Sequence, residues 1–187
     1  TGLVHDSMRW HTSGSTGGTG GWPNSRMSAP AMKVLPSLTI STACTSGARA
    51  LLSAQRLLNL GLCDAVLCGG VDSLCRLTLN GFSALEAVSV ERCNPFSANR
   101  NGINIGEGAA LFLLTKEPLA QGSTGSATAV VLLGGGATSD AHHISAPQPD
   151  GLGAQAAMRK ALAAAGIQAE QVDYLNLHGT ATAHNDA

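Results

Sequence analysis

The most constraining stretch lies between Leu38 and Gly70, where the hydrophobic period changes twice in about thirty residues. Leu38–Ala43 is β-branched and mostly apolar, the pattern of a short buried strand, with Pro36 at its head. From Ser46 onward Ala50, Leu51, Ala54, Leu57 and Leu58 recur at helical spacing, with Arg49, Gln55 and Arg56 on the other side. Gly61 is placed to stop that helix, and Ala65–Cys68 follows as a second buried strand closed by Gly69 and Gly70. Strand, helix, strand over this length predicts a βαβ crossover with parallel pairing, and hence an α/β chain.

The remaining segments fit that class. Residues 73–90 read as helical with an interruption at Asn80-Gly81, and 93–104 as polar and turn-rich. Ala109–Thr115 and Ala127–Leu133 read as strands, with a short helix over Lys116–Gln121 between them. Residues 140–153 have no period and read as a loop, Ala154–Ala165 as an Ala-rich helix stopped by Gly166, and Val172–Leu177 as a last strand. The Ser-, Gly- and Thr-rich residues 12–29 read as a loop, because no G-K-[ST] ending completes a phosphate cradle.

Composition narrows the function. The 187 residues carry 11 Lys+Arg against 12 Asp+Glu, a formal net charge of -1, which argues against nucleic acid or an anionic membrane surface as the main partner. The richest apolar window, Ala109–Leu114, is far short of the ~18 residues a bilayer crossing needs. Only 12% of residues are charged, so much of the chain is expected to be buried or at an interface. Five cysteines, with no secreted-scaffold spacing, read as free, mostly buried thiols of a reducing, cytoplasmic compartment, and Cys63 and Cys68 as core thiols rather than metal ligands. Thr1 is not an initiator Met, so the chain is expected to start inside a longer protein.

Cys44 stands where a predicted strand hands over to a predicted helix, in Thr42-Ala-Cys-Thr-Ser-Gly47. A thiol there faces unpaired N–H groups and the positive end of the helix dipole, which favour the nucleophilic thiolate. Position alone leaves two readings open, a reactive nucleophile or a small core hydrophobe. His178, just past the last predicted strand, would share the carboxyl-end side of the sheet with Cys44. A Cys with a spatially adjacent His is the minimum for covalent acyl chemistry.

Four motifs in order and spacing carry a resemblance through nearly the whole chain. They are Thr42-Ala-Cys44-Thr-Ser-Gly47, Cys68-Gly-Gly70, Asn94-Pro-Phe-Ser-Ala-Asn-Arg100 running on to Gly108, and His178-Gly-Thr180-Ala-Thr182-Ala-His-Asn-Asp186. Together they resemble the β-ketoacyl-acyl-carrier-protein synthases, the elongating condensing enzymes of type II fatty acid synthesis. The resemblance implies a partial thiolase-like layered fold, with mixed, mostly parallel sheets flanked by helices. It puts the end of a first half with the nucleophile at 1–115 and the start of a second half with the histidine at 116–187.

By the same resemblance Cys44 accepts the acyl chain, and His178 supports decarboxylation of malonyl-acyl carrier protein and the developing enolate. Thr180 and Thr182 match threonines that bond the phosphopantetheine arm, and Ser145 a channel-lining hydroxyl. Phe82 lies where the family lines its acyl pocket, with helical core packing the equal alternative. No metal and no cofactor beyond the carrier protein's phosphopantetheine is implied, which sets His142 and His143 aside as loop residues. The implied partners are the acyl carrier protein, acyl and malonyl thioesters, and a second copy in a homodimer formed near the strand ending at Ala43. Asn101 stands where many relatives have Asp, which removes a charge from that loop. The family's second histidine, its preceding lysine and its oxyanion-hole turn lie beyond Ala187, so this piece is not expected to complete condensation alone. The alternatives are a chain-length-factor-like partner subunit, disfavoured because Cys44 is retained, and a thiolase, disfavoured by the His-Gly-Thr-x-Thr pattern.

Overall fold

The computed structural model describes residues 37–117, 130–143 and 147–186. Five elements follow in chain order: α1 (Ser46–Asn59), β1 (Ala65–Asp72), α2 (Arg76–Ala84), β2 (Gly108–Thr115) and α3 (Leu152–Ala165). A single 3-10 turn, Ala169–Gln171, comes after α3.

Helix α1 begins at Ser46, as the period predicts, and its apolar stripe buries Ala54 and Leu58 at 2% and 4% exposure. Its end is a Schellman turn: Gly61 takes a φ of 68°, Gly61 N–H donates to Leu58 O and Leu62 N–H to Leu57 O. Gly166 closes α3 in the same way, with Gly166 N–H bonded to Ala163 O and Ile167 N–H to Leu162 O.

Helix α2 corrects one expectation. It runs through Asn80 and Gly81 without a break and stops only at Leu85, where Glu86 adopts a φ of 53°. A glycine inside a helix weakens it by only about 1 kcal/mol, so the i to i−4 bonds carry on past Gly81. The chain leaves the helix where Glu86 N–H bonds Ser83 O and Ala87 N–H bonds Phe82 O.

The sheet also differs from the expected parallel crossover. Among the described residues the only sheet is β1 paired with β2, antiparallel, from Ala65↔Thr115 to Asp72↔Gly108. The direction follows from where the connection returns. The chain leaves β1 at Asp72 and is brought back beside the same end, with Leu74 N–H donating to the Glu107 carboxylate at 2.8 Å and Val88 bridged to Ile103. A strand re-entering beside the end its neighbour has just left must run the other way.

Three further predicted strands lack a ladder. Leu38–Ala43, residues 130–133 and Val172–Leu177 carry no assigned strand, and residues 127–129 and 118–121 lie outside the described residues. Their β-branched composition favours extended backbone, but a strand also needs a neighbour for its N–H and C=O groups. Leu38 at 70% and Tyr174 at 80% exposure show how little covers the two ends of that set.

What packs is a stack of layers. Helix α1 lies against β1 and β2 on one side. On its other side Gln55 Nε2 donates to Leu132 O at 3.0 Å, and Leu52 fills the space where Gly135 would carry a Cβ. Gly134 and Gly136 in turn lie against the backbone of α3 at Ala164–Ala165 and Ala157, so the 134–136 run threads between two helices with no room for side chains. Sheet, helix, extended chain, helix is the order expected of a layered α/β protein. Beyond this stack the sheet's other face is open, with Leu67, Leu111 and Leu113 each more than half exposed. No described helix is long and apolar enough to cross a membrane.

The α1-to-134–136 contact gives a direct test in the full-length protein. Gly135→Ala is expected to lower stability by about 1–3 kcal/mol in urea unfolding through overpacking against Leu52. Adding Leu52→Ala is expected to return part of that loss, and strictly additive losses would mean the two layers do not meet there.

Candidate active site

The turn into α1 is fastened by hydroxyls. Ser46 Oγ accepts the Thr42 N–H at 2.9 Å and donates to Ala43 O at 2.6 Å, while Thr45 Oγ1 donates to Thr42 O at 2.8 Å. Ala43 is held at a φ of 53°, a strained value for a residue with a side chain, directly before Cys44. The result is a sharp bend whose apex carries the thiol. Cys44 is exposed, as a reactive nucleophile would be, whereas Cys63, Cys68, Cys75 and Cys93 are partly covered rather than buried as expected. Burial pushes the Cys68 thiol up, which makes it a poorer source of thiolate.

The second cluster forms around Asp186. Its carboxylate is buried and accepts the N–H groups of Thr180 at 2.9 Å, Ala181 at 2.8 Å and Phe96 at 3.0 Å, together with Asn185 Nδ2 at 3.0 Å. Burial alone would raise this carboxyl, but the four donors outweigh it and hold it far below the ordinary carboxylate range. Asn185 Nδ2 also reaches His178 O, which fixes the backbone of the predicted active-site histidine. Ala181, at the centre, is fully buried with a φ of 56°.

Residues 94–104 form the other wall. Arg100 Nε donates to Thr182 O at 3.3 Å and its Nη1 to Ser97 O at 3.1 Å, while Gly102 N–H donates to Ala181 O at 2.8 Å. The arginine therefore anchors the loop through carbonyl groups. Asn101, where a charge was expected to be missed, is exposed beside this anchor.

Thr180 and Thr182 come together, their hydroxyls 2.9 Å apart at the mouth of the turn, with Thr180 Oγ1 also directed at Asp186 Oδ1. His178 is exposed, as is His184. Phe82 lies half-buried on α2. Ser145 falls in 144–146, outside the described residues. The Asp140 carboxylate accepts the N–H groups of Gln148 and His142, interactions that lower its pKa. No hydrogen bond among the described residues joins the Cys44 bend to the His178 turn. Nor do three or more His, Cys, Asp or Glu gather there as a metal-holding set.

Reading from sequence missed the residues that build this turn. Asp186, Asn185 and Phe96 are legible only as motif members: Asp186 and Asn185 satisfy backbone groups five to seven positions back, and Asp186 also takes the Phe96 N–H ninety positions away. The one available signal was an Asp and an Asn closing a turn-forming run.

Comparison with known proteins follows the same map. The family model for the β-ketoacyl synthase N-terminal domain matches residues 35–120, and that for the C-terminal domain residues 129–187. The chain is 39% identical over 155 residues to 3-oxoacyl-[acyl-carrier-protein] synthase 2 of Rhizobium meliloti (strain 1021), covering 79% of this chain and 37% of that protein. Among solved structures it is similar to the ketosynthase ApeO in complex with its chain length factor ApeC from Xenorhabdus doucetiae, at 49% identity and a TM-score of 0.73, over 81% of this chain and 36% of the other. It is also similar to AntDE:AntF, a type II polyketide synthase acyl-carrier protein in complex with its ketosynthase bound to the hexaketide, at 31% identity and a TM-score of 0.68, over 79% and 38%. The chain thus spans little more than a third of the length of these relatives, and its layers are those of the thiolase fold.

Two outcomes follow from the geometry. Alkylation of the native protein near neutral pH is expected to modify Cys44 at least about tenfold faster than Cys68, read by mass mapping; equal rates would remove Cys44's special exposure. The Asp186 carboxyl ionises well below its unfolded value of about 3.9, so its contribution to stability is complete above about pH 4 and is lost as pH falls. Asp186→Asn is accordingly expected to be less stable than the parent at pH 7, with the gap narrowing by pH 3 in urea titrations. A gap of the same size at both values would contradict the ionised anchor.

Proposed function

Because this chain belongs to the β-ketoacyl synthase family, we propose that it carries the acyl-accepting cysteine and first histidine of a decarboxylative condensing enzyme. In this reading residues 1–115 end the first thiolase-like half and 116–187 begin the second. The Cys44 thiolate attacks the thioester carbonyl of an acyl-carrier protein, forming a new thioester and releasing the carrier's thiol. Malonyl-carrier protein then loses carbon dioxide, and its thioester oxygen takes up the developing enolate charge, toward which His178 Nε2–H donates. The enolate carbon attacks the Cys44 thioester, a C–C bond forms, and the thiolate leaves as the β-ketoacyl product departs on the carrier. Thr180 and Thr182 orient the phosphopantetheine arm, Ser145 lines the channel, and Phe82 borders the acyl pocket.

The observation that carries this proposal is the exposure of Cys44 at the apex of a hydroxyl-locked bend leading into the packed helix α1, while the four other thiols are partly covered. It favours the catalytic subunit over a partner that only shapes the acyl tunnel. Acyl carrier protein is the proposed partner, supported by the likeness to AntDE:AntF, and the compartment is proposed to be cytoplasmic. The resemblance in the sequence implies a second copy as the subunit partner. The ApeO–ApeC likeness favours a chain length factor as subunit partner, and the AntDE:AntF likeness elongation of a polyketide-type chain.

Incubating the full-length protein with acyl-carrier protein is expected to add one acyl mass to the peptide bearing Cys44. Cys44→Ala should abolish that adduct and Cys68→Ala retain it. An undiminished adduct in Cys44→Ala would end the proposal.

A further inference from the structure

We infer that Phe96 is a positioning residue for His178, acting through the backbone of Gly179; the catalytic part of this inference rests on the function proposed above. Phe96 is an unusual residue for its place. Its φ is 61°, in the left-handed region where glycine or asparagine costs least, and it is 52% exposed. Neither the turn nor a hydrophobic core explains an aromatic ring there.

The ring's contact does. A Cβ built on Gly179, the residue after His178, would stand 2.7 Å from Phe96 Cε2, 3.3 Å from its Cζ and 2.7 Å from Pro95 Cβ. The Pro95-Phe96 pair therefore lies directly on the peptide that carries the histidine, and only glycine lets it come so close. The same Phe96 donates its N–H to Asp186, whose other oxygen contacts hold Thr180 and Ala181. Gly179 N–H itself turns back onto Leu177 O at 2.9 Å, a tight reversal that leaves its other face to the ring. The histidine's peptide is thus clamped from two directions, by carboxylate bonds on the downstream side and by an aromatic plate on Gly179. The His178 carbonyl is held by Asn185 Nδ2.

Phe96→Ala removes the plate while leaving the N–H bond to Asp186, and the residue's exposure means the fold should survive. In the full-length protein, hydrogen exchange of the Thr180 and Ala181 amides is expected to speed up at least tenfold in Phe96→Ala and to stay at the parent rate in Phe96→Tyr, which keeps the ring. Decarboxylation of malonyl-carrier protein is expected to fall at least tenfold in kcat, with little change in KM, while acylation of Cys44 stays within about twofold. Unchanged exchange in Phe96→Ala overturns the inference. So does an equal fall in acylation and decarboxylation, which would signal general damage. Should the parent protein fail to decarboxylate, the proposed function fails, and the exchange measurement still decides whether Phe96 positions this turn.

Discussion

The Asp186 carboxylate is the constraint on which the rest of this site depends. Three backbone N–H groups, from Phe96, Thr180 and Ala181, converge on two oxygens in a buried pocket. Each of those amides would otherwise be an unpaired donor in a place water does not reach easily. One ionised side chain satisfies them together, and in doing so fastens a loop from the middle of the chain to the turn that follows His178. Charge-assisted bonds are stronger than neutral ones, which is why a single residue can hold two strained positions, Phe96 and Ala181, in left-handed backbone.

The Cys44 bend solves a similar problem by other means. There the backbone is fixed by the short hydroxyl reach of Ser46 and Thr45. Strain at Ala43 precedes the thiol as strain at Ala181 follows the histidine. Cys44 and His178 thus both stand next to backbone that is over-determined by its neighbours. The helix that leaves the Cys44 bend, α1, has residues 132–136 against it, and glycines there let the chain pass close to both α1 and α3.

Much of this was legible in the sequence, and the failures share one cause. Helix α1 from Ser46 and the stops at Gly61 and Gly166 follow from local period and from glycine's freedom at a helix end, both of which act over a few residues. The thiolase-like family was readable because its motifs are contiguous. Strand direction was not: the run at 65–68 signals extended chain, but which neighbour it meets is decided by the 85–107 connection and Glu107. Helical continuity through Gly81 was misjudged because a modest propensity cost does not end a helix whose bonds remain intact. The tie between Asp186 and Phe96 joins residues ninety positions apart, where composition says little.

The hydroxyl pair at the mouth of the turn has a consequence for what it can grip. A carboxylate has no proton to give, so Thr180 must donate its own to Asp186, and Thr182 must then donate to Thr180. With both protons committed inward, the pair shows the outside world lone pairs alone. Any group that comes to this rim is met by acceptors and must turn a donor such as an amide N–H, rather than a carbonyl, toward it.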